Sequence, residues 1–102
     1  MVRAPSMPTR LVFQAFLDAP ARETYGFELA EATGLPSGTI YPILRRLEGA
    51  GLIQSRWEEV NTGSQRRRRR YYALTAEGRR AAHAATAIQR EALRLLIPGW
   101  AT

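Results

Sequence analysis

The sequence predicts a mainly α-helical domain with one small β-hairpin, and three observations predict it. Ile40, Ile43, Leu44 and Leu47 fall at i, i+3, i+4 and i+7, a single buried helical face that stops at Gly49-Ala50-Gly51. Two strand-like stretches, residues 52–60 and 70–75, flank the turn-forming run Asn61-Thr62-Gly63-Ser64-Gln65 and five consecutive arginines, Arg66 to Arg70. Beyond Thr75 one long helical pattern runs to about Ile97. Three helices, a strand, a basic tip, a strand and a last helix are the order of a winged helix-turn-helix followed by a C-terminal dimerisation helix.

Residues 1–7, with Pro5 and little to bury, are expected to form a flexible N-terminus. The first helix covers residues 8–18. Leu11, Val12, Phe13, Ala15, Phe16 and Leu17 make it apolar nearly all round, so it sits between other elements or at a subunit contact. Ala19-Pro20 ends it, because proline biases the preceding residue away from helical dihedrals. The second helix is expected to start near Thr24, a good N-cap type, and to end at Thr33 with Gly34 as its C′ residue. Leu35-Pro36-Ser37-Gly38 turns into the third helix, where Pro42 lies early enough for its missing N–H to cost little.

The winged helix-turn-helix then spans residues 8–75, the dimerisation helix 76–97 and a tail 98–102. Thr75 is the candidate cap of the last helix, and Glu77 is favourable in its first turn. Its apolar positions 81, 85, 88, 92 and 95 step by 4, 3, 4 and 3, which is a heptad seam. Pro98-Gly99 ends it.

A chain of 102 residues supports one modest core. With 45% hydrophobic and 24% charged residues it has the composition of a soluble globular domain. The net charge of +6 points to a polyanionic partner, double-stranded DNA before an anionic membrane. All 15 basic residues are arginine, the better bidentate ligand for phosphate and guanine, although a GC-rich genome also favours arginine codons. The absence of cysteine excludes disulfides, zinc fingers and thiolate catalysis. No apolar run approaches the roughly 18 residues of a membrane span, and the N-terminus lacks a secretory apolar run. No membrane partner and a cytoplasmic location are expected.

Three elements are candidates to touch DNA. In the second and third helices, the groove-facing residues should lie near the start of the third helix and off its apolar stripe: Ser37, Gly38, Thr39, Tyr41, Arg45 and Arg46. At the hairpin tip, Arg66, Arg67, Arg68 and Arg69 can splay along a phosphate backbone or reach into a minor groove, two or three at a time, since alternate strand residues share a face. In the last helix, Ala81, Ala85, Ile88, Ala92 and Leu95, joined by Leu11 and Ala15 of the first, are the candidate dimer interface. A two-fold dimer would set two recognition helices about one DNA turn apart on a near-palindromic site.

With these residues in hand, the chain resembles the PadR family of winged-helix transcriptional regulators. The residues that carry the resemblance are GTIYPILRRLEGAGLI at 38–53, SRWEE at 55–59 and RRYYALTAEGRRA at 69–81. It is to the short form of the family, with no large C-terminal domain. The resemblance implies a dimeric DNA-binding repressor whose first and last helices meet at the interface, with Thr39 and Tyr41 at the DNA and the basic wing at phosphates. Trp57, Tyr71 and Tyr72 then read as packing residues of the hairpin. Where the family often has Gly-Tyr at the start of the second helix, this chain has Gly26-Phe27. Some short-form relatives bind flat aromatic molecules, which makes Phe13, Phe16 and Trp100 a candidate pocket for a small-molecule effector.

Two other functions remain: a nonspecific or architectural DNA-binding protein driven by the arginine wing, and a winged helix that binds an acidic protein partner. An enzyme is not expected, nor any cofactor or metal. No nucleophile–base pair or metal-ligand cluster is visible, His83 stands alone, and Glu58-Glu59 are adjacent strand residues whose side chains point to opposite faces.

Overall fold

The computed structural model describes residues 5–59 and 68–96. Four helices surround a three-stranded antiparallel sheet: α1 (Met7–Asp18), β1 (Thr24–Tyr25), α2 (Gly26–Thr33), α3 (Ser37–Gly49), β2 (Ile53–Trp57), β3 (Arg70–Leu74) and α4 (Ala76–Leu96). The strand order is β1-β3-β2, so the outgoing wing strand is central.

The caps and breaks follow local chemistry. Ser6 caps α1, its Oγ accepting from the Thr9 N–H at 3.4 Å. Ala19, ahead of Pro20, takes an extended conformation (φ −62°, ψ 133°) and ends the helix as expected. Gly34 terminates α2 in the left-handed region at φ 73°, where a side chain would be strained, and its N–H bonds to the Ala30 carbonyl at 2.8 Å.

Two sequence expectations are corrected. Thr24 does not cap α2. Thr24 and Tyr25 pair with Tyr72 and Tyr71 as the third strand, and the helix begins at Gly26. A β-branched residue beside an aromatic suits a strand edge better than a cap once a partner strand is available. Pro42 is not at the cheap end of α3 either. The helix starts at Ser37, so Pro42 is its sixth residue and withdraws the helical donor from the Gly38 carbonyl.

The core lies between the sheet and the helices. Val12, Phe13 and Phe16 of α1 meet Leu29 of α2 and the α3 stripe Ile40, Ile43, Leu44 and Leu47. Ile53, Tyr72 and Leu74 close it from the sheet, with Ala82 and Ala85 from α4. Thr75 joins wing and last helix: its Oγ1 accepts from the Gly78 N–H at 3.0 Å and donates to the Gly51 carbonyl at 2.7 Å. Past Thr86, α4 leaves the core, and Ile88, Leu93, Leu95 and Leu96 are exposed.

Candidate nucleic-acid interface

The end of β1, the start of α2, the outer face of α3 and the wing enclose an open cleft of about 730 Å³. Tyr41, Arg45 and Glu48 line it from α3, Trp57 from β2, and Arg68, Arg69 and Arg70 from the incoming side of β3. Tyr25, Gly26, Phe27 and Tyr72 complete its walls. Each α3 residue arrives there because 41, 45 and 48 lie one helical turn apart on the side away from the buried stripe.

Tyr41 is placed by a missing side chain. A Cβ on Gly26 would stand 2.5 Å from the Tyr41 Oη and 3.0 Å from its Cζ, so the buried glycine opens the space into which the phenol leans.

Arg70 ties the wing to α3. Its Nε and Nη2 donate to the Ser55 Oγ at 3.0 and 2.8 Å, and its Nη2 lies 3.4 Å from the Glu48 carboxylate. Ser55 in turn donates to Glu48 at 2.6 Å. The same guanidinium stacks on Trp57, its cross-strand neighbour, at 5.3 Å. The charge of Arg70 is therefore engaged within the protein, and so is Glu48, the one carboxylate that lines the cleft among the described residues.

At the base of the tip, the Arg68 Nε donates to the Glu58 carbonyl at 3.0 Å, and the Glu58 N–H donates to the Arg69 carbonyl at 2.7 Å. Arg69 stacks on Tyr25 at 4.7 Å. A hydrogen bond with the Tyr71 side chain raises the pKa of Arg69 above its ordinary value, opposed by desolvation. Burial raises the Tyr72 phenol, partly offset by Arg70. On the outer side of the sheet Glu23 and Arg56 form a bidentate pair at 2.6 and 2.8 Å, with Arg56 over the Tyr71 ring at 5.0 Å.

Of the candidate DNA contacts, the cleft brings together Tyr41, Arg45, Arg68 and Arg69. Ser37, Gly38 and Arg46 are exposed on α3 outside the cleft, and Thr39 is half-buried there. Arg66 and Arg67 lie outside the described residues. Sequence reasoning missed Phe27 as a member of this cleft, and it read Trp57 as a hairpin residue, where its stack with Arg70 across the strand pair places it. Trp57 is nevertheless 52% exposed and lines the same cleft as Phe27 at 63% and Tyr41 at 46%. It shares a strand face with Ile53 and Ser55, yet sits one step beyond the part of that face that α3 covers.

The other candidates separate by burial. Ala15 and Ala85 are buried in the chain's own core, Leu11 and Ala81 are half-buried, and Ile88 and Leu95 are exposed. The Ala92 side chain lies outside the described residues. Phe13 and Phe16 are 2% and 7% exposed and fill the core rather than lining a large cavity. Phe16 borders only a small hollow of about 170 Å³ near Arg22 and Arg79. Trp100 is outside the described residues. Among the described residues no cluster of histidine and acidic side chains could hold a metal, and no helix is long and apolar enough to cross a membrane.

Known structures share this fold. A PadR family transcription regulator from Clostridium difficile R20291 superposes with a TM-score of 0.72 at 27% identity, over 89% of this chain and 95% of that one. The protein smu.1704 of Streptococcus mutans UA159 matches with a TM-score of 0.67 at 25% identity, over 87% and 84%. MepR of S. aureus, solved in a DNA-binding conformation, shares the fold with a TM-score of 0.70 at 21% identity, over 90% and 64%. No match was found among the curated proteins. The family model described as "Transcriptional regulator PadR-like family" matches residues 18–84, from the end of α1 well into α4. The chain belongs to the PadR-like family of transcriptional regulators, and its cleft lies on the winged helix of a DNA-binding protein of that family.

Proposed function

We propose that two copies of this chain pair through α4 and bind a near-palindromic operator as a repressor, in the cytoplasm. The observation that carries the reading is the convergence of Tyr41 and Arg45 of α3 with Arg68 and Arg69 of the wing on one cationic face. A recognition helix and a wing on one face can engage a groove and the neighbouring phosphates together. Ser37, Gly38, Thr39 and Arg46 stand at the same helix and are proposed to reach base edges or phosphates. Arg66 and Arg67 are assigned to phosphates with the rest of the tip.

The apolar side chains exposed at the far end of α4 support pairing of two copies. Ile88 and Leu95 are the core of the proposed contact, with Leu11 and Ala81 at its inner edge. Ala15 and Ala85 support it from within. Phe13 and Phe16 are committed to the core, so no effector site is proposed there.

The test compares affinity for an inverted repeat upstream of the chain's own gene with affinity for random duplex at fixed salt. A preference of at least about 10³ is expected of a specific regulator. A smaller ratio favours the architectural alternative. Absence of any salt-sensitive binding to duplex favours a protein-binding wing.

A further inference from the structure

We propose that Phe27 and Trp57 pack on deoxyribose of the DNA strand that lies between α3 and the wing, on either side of Tyr41, with Arg45 and Arg68 at the intervening phosphates. The inference rests on the DNA-binding reading above and adds an apolar hold on the strand to it.

Phe27, Tyr41 and Trp57 turn about half or more of their surface to water in one hollow of about 730 Å³. Exposed rings gathered in one cleft of a small domain mark a contact surface rather than a folding requirement. The cleft interleaves these rings with guanidinium groups, and the one carboxylate in its lining among the described residues, Glu48, is already bonded to Ser55 and Arg70. A lining of alternating apolar and cationic groups fits a polymer that alternates apolar sugar faces with anionic phosphates. The start of α3, with Ser37, Gly38 and Thr39, stands outside the cleft lining. A strand held in the cleft leaves that end of the helix to enter the groove alongside. The rings give the strand a hold that salt does not screen, whereas the guanidinium contacts depend on released counterions.

The experiment titrates a labelled random-sequence duplex with the full chain at several NaCl concentrations. Random sequence suffices because a strand seat reads no bases. Phe27→Ala and Trp57→Ala are each expected to weaken binding about tenfold, the loss of part of a ring's apolar burial, with the log–log salt slope unchanged. Arg45→Ala and Arg68→Ala are expected to reduce the slope by about 0.9 for each lost phosphate contact. Both rings are exposed, so the ring variants should melt within a few degrees of the parent. Phe27→Ala, whose ring lies on α2, is independent of the Arg70 stack that Trp57→Ala also removes. In a Trp100→Phe background, quenching of Trp57 fluorescence by the duplex is a second expected sign. Ring variants that bind duplex as tightly as the parent would overturn the proposal while leaving DNA binding intact. So would single-stranded DNA that binds as tightly as duplex and shows the same loss on substitution. A parent chain without salt-sensitive binding would overturn both this assignment and the regulatory reading.

Discussion

Gly78 packs against the Leu52 carbonyl with no room for a side chain: a Cβ on Gly78 would lie 1.7 Å from that oxygen and 2.7 Å from its carbon. The Leu52 carbonyl also accepts the Thr75 N–H at 3.0 Å, so this one backbone group anchors the start of α4 to the start of the wing. The obstructing atoms are backbone, which cannot rotate away. Gly78→Ala is therefore expected to destabilise the domain by roughly 3 kcal/mol or more, at or above the usual range for overpacking. For a domain of this size that is a fall in Tm of more than about 10 °C. Thermal unfolding followed by circular dichroism checks it. A shift of only a degree or two would mean the joint yields at little cost.

Gly26 makes the opposite case. A Cβ there meets the far end of the Tyr41 side chain, which can swing aside. Gly26→Ala is expected to cost less than about 1 kcal/mol of stability, since only one flexible contact must move. It should nevertheless lower DNA affinity, because the ring it displaces stands in the cleft. Tyr41→Phe, which keeps the ring and loses the hydroxyl, separates position from hydrogen bonding. If Gly26→Ala binds DNA as the parent does, the placement of Tyr41 is irrelevant to recognition.

These two glycines mark how far the sequence can be read. The α3 stripe, the Ala19-Pro20 stop, the Gly34 cap and the Thr75 cap were legible because each depends on residues within one or two turns. β1 was not. Two residues carry no alternation, and Thr24-Tyr25 becomes a strand only through pairing with Tyr71 and Tyr72, far along the chain. The cleft was half legible. Its arginines stood out as a run of charge and Tyr41 as a residue off the apolar stripe of α3, but Phe27 and Trp57 did not, because nothing local to either residue shows which neighbours leave it uncovered. Trp57 is the last residue of β2, past Ser55 where the strand meets Glu48 of α3. The heptad seam of α4 was legible as a pattern, yet its first half is spent on α1 within the chain, which no periodicity distinguishes from a contact between chains.

Arg70 is expected to behave unlike its neighbours in the arginine run. Its guanidinium is held by Ser55 and Glu48 and stacked on Trp57, so its removal should not strip a phosphate contact. Arg70→Ala should weaken DNA binding by loosening the angle between wing and α3, with the salt slope unchanged. Stability should fall by less than about 1 kcal/mol, since both partners are partly exposed. A slope reduced as in Arg68→Ala would show that Arg70 leaves this network to meet DNA.

The Glu23–Arg56 pair gives the sheet a small dependence on pH. The hydrogen bond from Arg56 lowers the Glu23 pKa from its ordinary 4.5, opposed by desolvation. A carboxylate depressed in the folded state stabilises it above the unfolded pKa and loses that contribution as pH falls through the folded value. The parent should therefore exceed Glu23→Gln in Tm at neutral pH. The gap should begin to close near pH 4.5 and vanish below the depressed value. A gap that persists in stronger acid would show that Glu23 acts through packing instead.

The far end of α4 tests the proposed assembly. Leu95 and Leu96 are 78% and 79% exposed, and Ile88 is 54% exposed, too much apolar surface on one short segment to be explained by the chain's own core. Full burial of such side chains contributes roughly 1.5–3 kcal/mol each. Ile88→Asp and Leu95→Asp place a charge on that surface without touching the buried residues of α4. If two copies pair there, either variant should sediment as a monomer at concentrations where the parent is a dimer, while Tm extrapolated to low concentration stays that of the parent monomer. Affinity for a single half-site should survive in the variants, and affinity for a full inverted repeat should fall to nearly the same level, because a monomer gains nothing from the second half-site. Variants that remain dimeric would place the interface elsewhere on the chain and leave these leucines to be explained by another partner.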